Sequence, residues 1–479
     1  MDKGRIVYDA ISEEQCAQVM DAVYKLLETA GCLVQNPETL KLMGDAGCKV
    51  DGEEVKIPRD VLEHAIKVAP SEFTLYNRKG EPAMELKQGN TFFGPCLGTV
   101  YTIDVDTREK RTGTYKDACD AALVSCAMQN LDWSACMSSV FDRRSELSDL
   151  YEVQALPTNS TKPFMYWVVG REHLDRMIDM YETIAGGEKA FRDKPFNIDL
   201  VCPRDPRIHT HEGTDQLMYM ARKHLPVVHI PGLGFGGASP IHMAGSIVEG
   251  LADTLVGLLI SQLASEGAPF VASGIYDYLD MKTFMPSHSW PESDLCSSVT
   301  AAIFRYLDIP FNQKYGDTGN GLFDEINAFD IGVQCQTAVM CGSMMNMSAG
   351  GLEGGASASL VSLAFNDRAI SYAHRMGQAM EINDDTLCVD AIAGVKPGGN
   401  FLMDMDTLTN FRDFWEPGIS APRSYDKYLA DGRSSMTDRL TEWVKDVVAQ
   451  GPIEPLASDI QGKIEDSVAE VEQAVAATV

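Results

Sequence analysis

The residues best placed to do chemistry in this chain of 479 residues follow a series of apolar stretches. Trp167, His229, Tyr276, Tyr278, Asp280, Tyr315, Asp317, Asn346 and Glu353 stand at or just past their C-terminal ends, with His288, Trp290, Phe323 and Phe329 a little further on. Ring faces interspersed with carboxylates suit a cation, above all a quaternary ammonium group, which the negative face of an aromatic ring attracts. Taken singly, Trp167 or Tyr315 is more often core packing, a lone His229 a hydrogen-bonded core residue, and Asp317 or Glu353 a helix cap. The clustering carries the case. No Gly-x-Ser-x-Gly elbow, P-loop lysine or tight set of metal-type ligands stands out, so no residue is assigned a catalytic role or a metal. His209 and His211, in a loop after PRDPRI, read as surface polarity rather than as a metal site.

Gly232, Gly234 and Gly237 satisfy the G-x-G-x-x-G spacing of a dinucleotide fingerprint. That reading also needs an acidic residue about 20 residues on, at the end of the next strand. The equivalent distance here still falls inside a long helical pattern, and Ala272-Ser273-Gly274 carries no acid. The glycines read instead as a strand-to-helix turn. Ser239 is the expected helix cap and Pro240 the first helical residue. The backbone N–H groups of Gly236 and Gly237, at such a turn, could serve an anion.

The elements that must hold these residues follow from periodicity. Apolar strands are predicted at 132–140, 164–169, 196–201, 226–230, 269–274, 310–315 and 344–350. Helices alternate with them at 146–157, 173–186, 211–224, 240–265, 293–307 and 324–341. The alternation predicts an α/β fold, a (β/α)8 TIM barrel with its site at the C-terminal ends of the strands. The eighth strand comes either from before residue 132 or from after Leu360. Before the barrel (116–416) lies an N-terminal α+β extension (1–115) with helices at 12–31 and 58–70 and a hairpin-rich stretch. After it a C-terminal tail of loops and helices (417–479) has its two surface helices at 434–449 and 456–478.

The net charge of −29, from 69 acidic against 40 basic residues, argues against nucleic acid and against an anionic membrane as partner. No apolar run is expected to span a bilayer, and the first residues lack a signal-peptide core, so a cytoplasmic location is expected. The twelve cysteines form no C-x-x-C pair and read as reduced, mostly buried thiols.

Four segments, ISEEQCAQVMDAVYKLLETAGCLV, TVYTIDVDTREKRTGT, GASPIHMAGSIVEGLADTLVGLLISQL with the following ASEGAPFVASG, and GGNFLMDMDTLTNFRDFWEPGISAPRSYD, resemble the trimethylamine methyltransferase family. They extend from residue 10 to about 430. The strings at 237–245 and 407–412 are the most specific. The resemblance implies a (β/α)8 barrel that passes a methyl group from an amine to the cobalt of a separate corrinoid-binding protein, with no tightly bound cofactor of its own. One subgroup carries pyrrolysine in the barrel; matching the family segment to 324–330 puts Phe329 in that place, and Gly316-Asp317-Thr318-Gly319-Asn320 departs from the usual pattern. A quaternary ammonium nitrogen has no lone pair for pyrrolysine to capture and needs no general acid, since its methyl transfer releases a neutral amine. The resemblance, read with that departure, implies a betaine substrate, glycine betaine first, with proline betaine, carnitine and γ-butyrobetaine as alternatives. Expected roles are Trp167, Tyr276, Trp290 and Phe329 around the trimethylammonium group, Asp317 as its counter-charge, and His229, His288 or the N–H groups of Gly236 and Gly237 on the carboxylate. A homo-oligomer is expected. The rival readings are a thiol or folate methyltransferase and a non-catalytic betaine-binding subunit.

Overall fold

The computed structural model describes residues 6–282 and 286–478. Its centre is a seven-stranded parallel sheet. The strands are β1 (Phe92–Pro95), β2 (Phe164–Tyr166), β3 (Asn197–Val201), β4 (Val227–His229), β5 (Phe270–Ser273), β6 (Phe311–Lys314) and β7 (Met345–Ala349). The spatial order is β1-β7-β6-β5-β4-β3-β2. β1, at the sheet's edge beside β7, comes from the first of the two regions left open for the missing strand; the sheet thus draws on residues within 1–115.

The two edges face a common neighbour. Asp132 N–H donates to Phe93 O on β1 at 2.7 Å. Two residues on, Ser134 N–H donates to Pro163 O, and Met165 N–H on β2 donates to Ser134 O. The expected strand at 132–140 is therefore short and bridge-like rather than a regular ladder.

Side chains alternate across each strand. Gln313 donates to Thr300 on the helix side, so Asn312 and Lys314 point to the inner face, where Asn312 meets Ser273. Outside the sheet lie α1 (Glu13–Thr29), α2 (Met243–Ala264), α3 (Pro291–Leu307), α4 (Glu325–Met340) and α5 (Leu360–Gly377). Ser12 and Gln15 form a capping box on α1, as Ser/Thr-x-x-Glu/Gln spacing allows.

Helix α2 corrects two expectations. It begins at Met243, with His242 as its cap residue and no side-chain cap. The Ser239 hydroxyl is turned instead to Gly234 O and Ser246, so Ser239 and Pro240 precede the helix. α2 is also the one helix among the described residues long and apolar enough to cross a membrane by length and composition. Sixteen of its residues are buried, packed against α1 and the helices Arg59–Val68 and His211–Lys223. This is the apolar length of a core helix, polar on no continuous face.

The N-terminal layer is tied to the centre through a four-stranded sheet in which Cys32–Val34 pairs in parallel with Ile208–His209. Above the strand ends, Gly232–Gly234 and Ile275–Leu279 pair in parallel, and Pro286–Ser287 closes an antiparallel hairpin on the latter.

Candidate functional site

The glycine-rich segment at 232–234 is itself a strand, and its partner Ile275–Leu279 carries Asp277 beyond the end of β5. Alternation along Ile275–Leu279 turns Tyr276 toward α2, where a Cβ on Gly250 would meet its hydroxyl at 2.7 Å. Asp277 then faces the other way, toward the last inward residue of β6. Lys314 Nζ lies 3.2 Å from Asp277 Oδ1 and 3.5 Å from Asp317 Oδ2. His288, just past the closing strand of the hairpin, completes the group: Nδ1 is 2.6 Å from Asp317 Oδ2 and Nε2 is 3.2 Å from Asp277 Oδ2.

The main chain around Asp317 is pinned from two helices. Gln334 Oε1 on α4 accepts the N–H groups of Gly316 and Asp317 at 2.6 and 3.2 Å. Asn366 on α5 accepts from Gly350 N–H and donates to Gly316 O. Gly316 has φ of 110°, and a Cβ there would lie 2.8 Å from the Asn366 amide. Only glycine fits without displacement.

All four charged side chains are largely buried, Asp317 to within 2%. Burial alone would strip the proton from His288, but the Asp317 and Asp277 carboxylates outweigh it and its pKa is pushed up to about 10. Nearby Asp294, at the start of α3, is pushed up to about 8 by burial, with Asp317 and Asp330 adding to the shift. Burial also raises the Asp317 carboxyl, an effect that the neighbouring His288 opposes, so two basic side chains face two carboxyl groups in the quartet. Its bonds are not saturated. Both contacts of Asp317 use Oδ2, and Oδ1 is buried without a hydrogen-bond partner. Lys314 Nζ has two carboxylate neighbours for three donors. Beside this group Tyr278 and Trp290 stack at 3.9 Å between ring centres, 12° from parallel.

Of the nine residues singled out from sequence, His288 and Asp317 are in direct contact and Trp290 joins them through the Tyr278 stack. The others lie elsewhere. Trp167 is half-buried at the end of β2, its indole edge against Gly98. His229 faces α2: a Cβ on Gly257 would fall 2.7 Å from its ring, which also stacks near His209 and Phe270. Its environment, like that of Tyr276, is helix-to-sheet packing. The N–H groups of Gly236 and Gly237 donate to Ser239 O and Gly234 O inside their own turn, so they are not offered to a ligand. Phe329 projects from α4, 69% exposed, into a groove against Phe365 and Tyr372 on α5. His209 is buried in the sheet, paired with Val34, rather than at the surface, while His211, past the helix cap Thr210, is exposed.

Lys314, Asp277 and Tyr278 were not all foreseen. Asp277 lies between two tyrosines in sequence, and Lys314 has the position of an ordinary strand residue. Its signal was a lysine at a strand's C-terminal end three residues before Asp317. Among the described residues no group of three His, Cys, Asp or Glu side chains is arranged to hold a metal ion.

The chain as a whole has recognisable relatives. A sequence model described as trimethylamine methyltransferase (MTTB) matches residues 2–476. The chain is 24% identical over 464 residues to trimethylamine methyltransferase MttB of Desulfitobacterium hafniense (strain DSM 10664 / DCB-2), covering 96% of this chain and 93% of that protein. It is 23% identical over 466 residues to a glycine betaine methyltransferase of D. hafniense (strain Y51), covering 97% of each. In fold it is similar to the monomethylamine methyltransferase MtmB of Methanosarcina barkeri, with a TM-score of 0.55 at 11% identity over 93% of this chain and 90% of that one.

Proposed function

The chain belongs to the trimethylamine methyltransferase (MTTB) family and is an enzyme of the methyltransferase class, and from that premise we propose that it demethylates a zwitterionic quaternary amine, glycine betaine in the first instance, in favour of a corrinoid carried by a partner protein. The observation that carries this reading is the unsaturated quartet. A free carboxylate oxygen on Asp317 and a remaining donor on Lys314 form a fixed dipole. Glycine betaine is a dipole of the opposite sense, an ammonium group two bonds from a carboxylate. The Tyr278–Trp290 stack supplies a ring face for the methyl groups, worth about 0.5–2 kcal/mol when desolvated. In the transfer the methyl C–N bond breaks and its electron pair goes to nitrogen. The amine leaves neutral, so no proton donor is required, and the residues act by orientation and exclusion of water.

We read the seven strands and the bridging segment at 132–134 as a closed eight-stranded barrel with the quartet at its mouth. The catalytic unit in this reading runs from about β1 through α5. The partner's corrinoid would supply the methyl acceptor, and the rim fits a protein that presents it. Val100, Phe141, Val169, Ile241, Met281 and Leu322, all exposed, each follow a different strand or its upper extension. Exposed apolar side chains spaced around one opening mark a protein-docking face.

The test is to mix the purified chain with a reduced corrinoid protein and a panel of betaines, trimethylamine and tetramethylammonium, and follow the visible spectrum. Conversion with glycine betaine, and none with trimethylamine, is the expected result. Conversion with trimethylamine alone, or with no compound, would overturn the reading; the latter outcome would favour a binding subunit.

A further inference from the structure

The largest exposed apolar surface lies away from the mouth. Helix α5 runs back from the strand ends, so the chain leaves the body at Gly377 on the opposite side. It returns at Trp415, whose indole N–H donates to Ser371 of α5 at 2.9 Å and whose ring meets Tyr372 edge-on. Between these anchors no residue from 378 to 414 is buried. The arm nonetheless carries twelve large, exposed apolar side chains, among them Met380 (83% exposed), Met403 (82%) and Phe414 (76%). Its short helices Asp384–Leu387, Val389–Gly394 and Met405–Asn410 bury nothing. A soluble chain does not leave so much apolar surface in water.

Beside the arm's anchors, α4 and α5 form a groove of about 610 Å3 lined by Phe329, Val333, Phe365, Arg368 and Tyr372. The arm is acidic, with Glu381, Asp384, Asp385, Asp390, Asp404, Asp406 and Asp413 against Lys396 and Arg412. The groove side offers Arg368 and, one heptad along α5, Arg375. Arm and groove are thus complementary in shape, polarity and charge while sitting side by side on one chain. Two copies about a two-fold axis can satisfy both at once, each arm in the other's groove.

We propose that a second copy of this chain is the occupant: residues 378–414 of one protomer lie along the α4–α5 groove of its partner, and reciprocally. A standard stable interface takes about 800 Å2 from each partner, and the twelve exposed apolar side chains of each arm are the surface such a contact would cover. The acidic arm disfavours an anionic membrane, and its position opposite the mouth leaves the rim free for the corrinoid protein.

Sedimentation velocity of the full chain at micromolar concentration tests this. The expected result is a dimer, or a larger assembly with an even number of copies. The double variant Met403→Asp, Phe414→Asp and the single variant Phe329→Asp, from opposite sides of the contact, should each weaken association at least tenfold with unchanged far-UV circular dichroism. Phe329→Leu should leave association intact. A monomeric parent chain, or an assembly indifferent to both sets of substitutions, overturns the proposal. So does hydrogen exchange at 378–414 that slows only when corrinoid protein or anionic vesicles are added.

Discussion

His288 and Asp317 share a 2.6 Å contact between Nδ1 and Oδ2 with both side chains removed from water. It fixes the imidazole between two carboxylates and leaves Asp317 Oδ1 as the one uncommitted oxygen of that residue.

Asp317→Asn keeps the shape of the side chain and removes its charge. We expect kcat/KM for glycine betaine to fall by about 100-fold, roughly 3 kcal/mol of charge–charge attraction between the carboxylate and the quaternary ammonium group, which has no N–H to donate. Lys314→Met tests the other pole: KM for glycine betaine should rise far more than KM for tetramethylammonium, which has no carboxylate. Equal effects on the two compounds would remove Lys314 from substrate recognition.

The raised pKa of His288 ties stability to pH. Its folded value, about 10, lies above the ordinary value near 6.5. The protonated imidazole therefore stabilises the fold fully below about pH 6.5, and that stabilisation is lost as pH rises through about 10. The gap in melting temperature between the parent chain and His288→Gln should be widest at about pH 6, shrink steadily above about pH 6.5 and close in alkali. A gap that stays constant into alkali would show that His288 is not held as the cation.

The packing of His229 gives a stability prediction. At Gly257 an added Cβ would lie 2.7–2.8 Å from three atoms of the His229 ring. Overpacking of about 1–3 kcal/mol outweighs the gain of up to about 1 kcal/mol from replacing a helical glycine. Gly257→Ala should lower the denaturation midpoint, while Gly462→Ala, inside the helix Ser458–Thr478 with open space at its Cβ, should raise it slightly. A Gly257→Ala chain as stable as its parent would mean that the ring moves freely, contrary to its burial.

Ile241, 60% exposed beyond Gly232–Gly234, probes the docking face proposed above. Ile241→Asp should raise the apparent KM for corrinoid protein about tenfold and leave that for glycine betaine unchanged. The rate dependence on each reactant separates the two; a change confined to the betaine would contradict the assignment of the rim.

The strand-and-helix alternation was readable because buried parallel strands are continuous apolar runs and their helices keep a 3.6-residue period. β1 escaped because Phe92–Pro95 is four residues long and ends in Gly-Pro, a turn signal by composition. At the site, His288 and Asp317 were found by their residue types. Which face of Ile275–Leu279 looks inward depended on pairing with Gly232–Gly234, a ladder between segments more than forty residues apart. A one-residue difference in facing separates buried Tyr276 from Asp277 in the quartet. Phe329 was assigned by a segment match, and the helical turn beginning at Glu325 points it away from the strand ends.

The pairing of β1 with β7 joins Phe92 to Met345. During synthesis that edge of β1 thus waits for its neighbour until residue 349 has cleared the ribosome, with only the Asp132 side of the strand able to pair sooner. Long-range parallel pairing of this kind is slow and leaves strand edges open meanwhile. The ion quartet shares that fate, since Lys314 belongs to the strand just before β7. Until the strands that carry them are paired, its charges stay solvated, and the open apolar edge beside β7 is the surface exposed to aggregation.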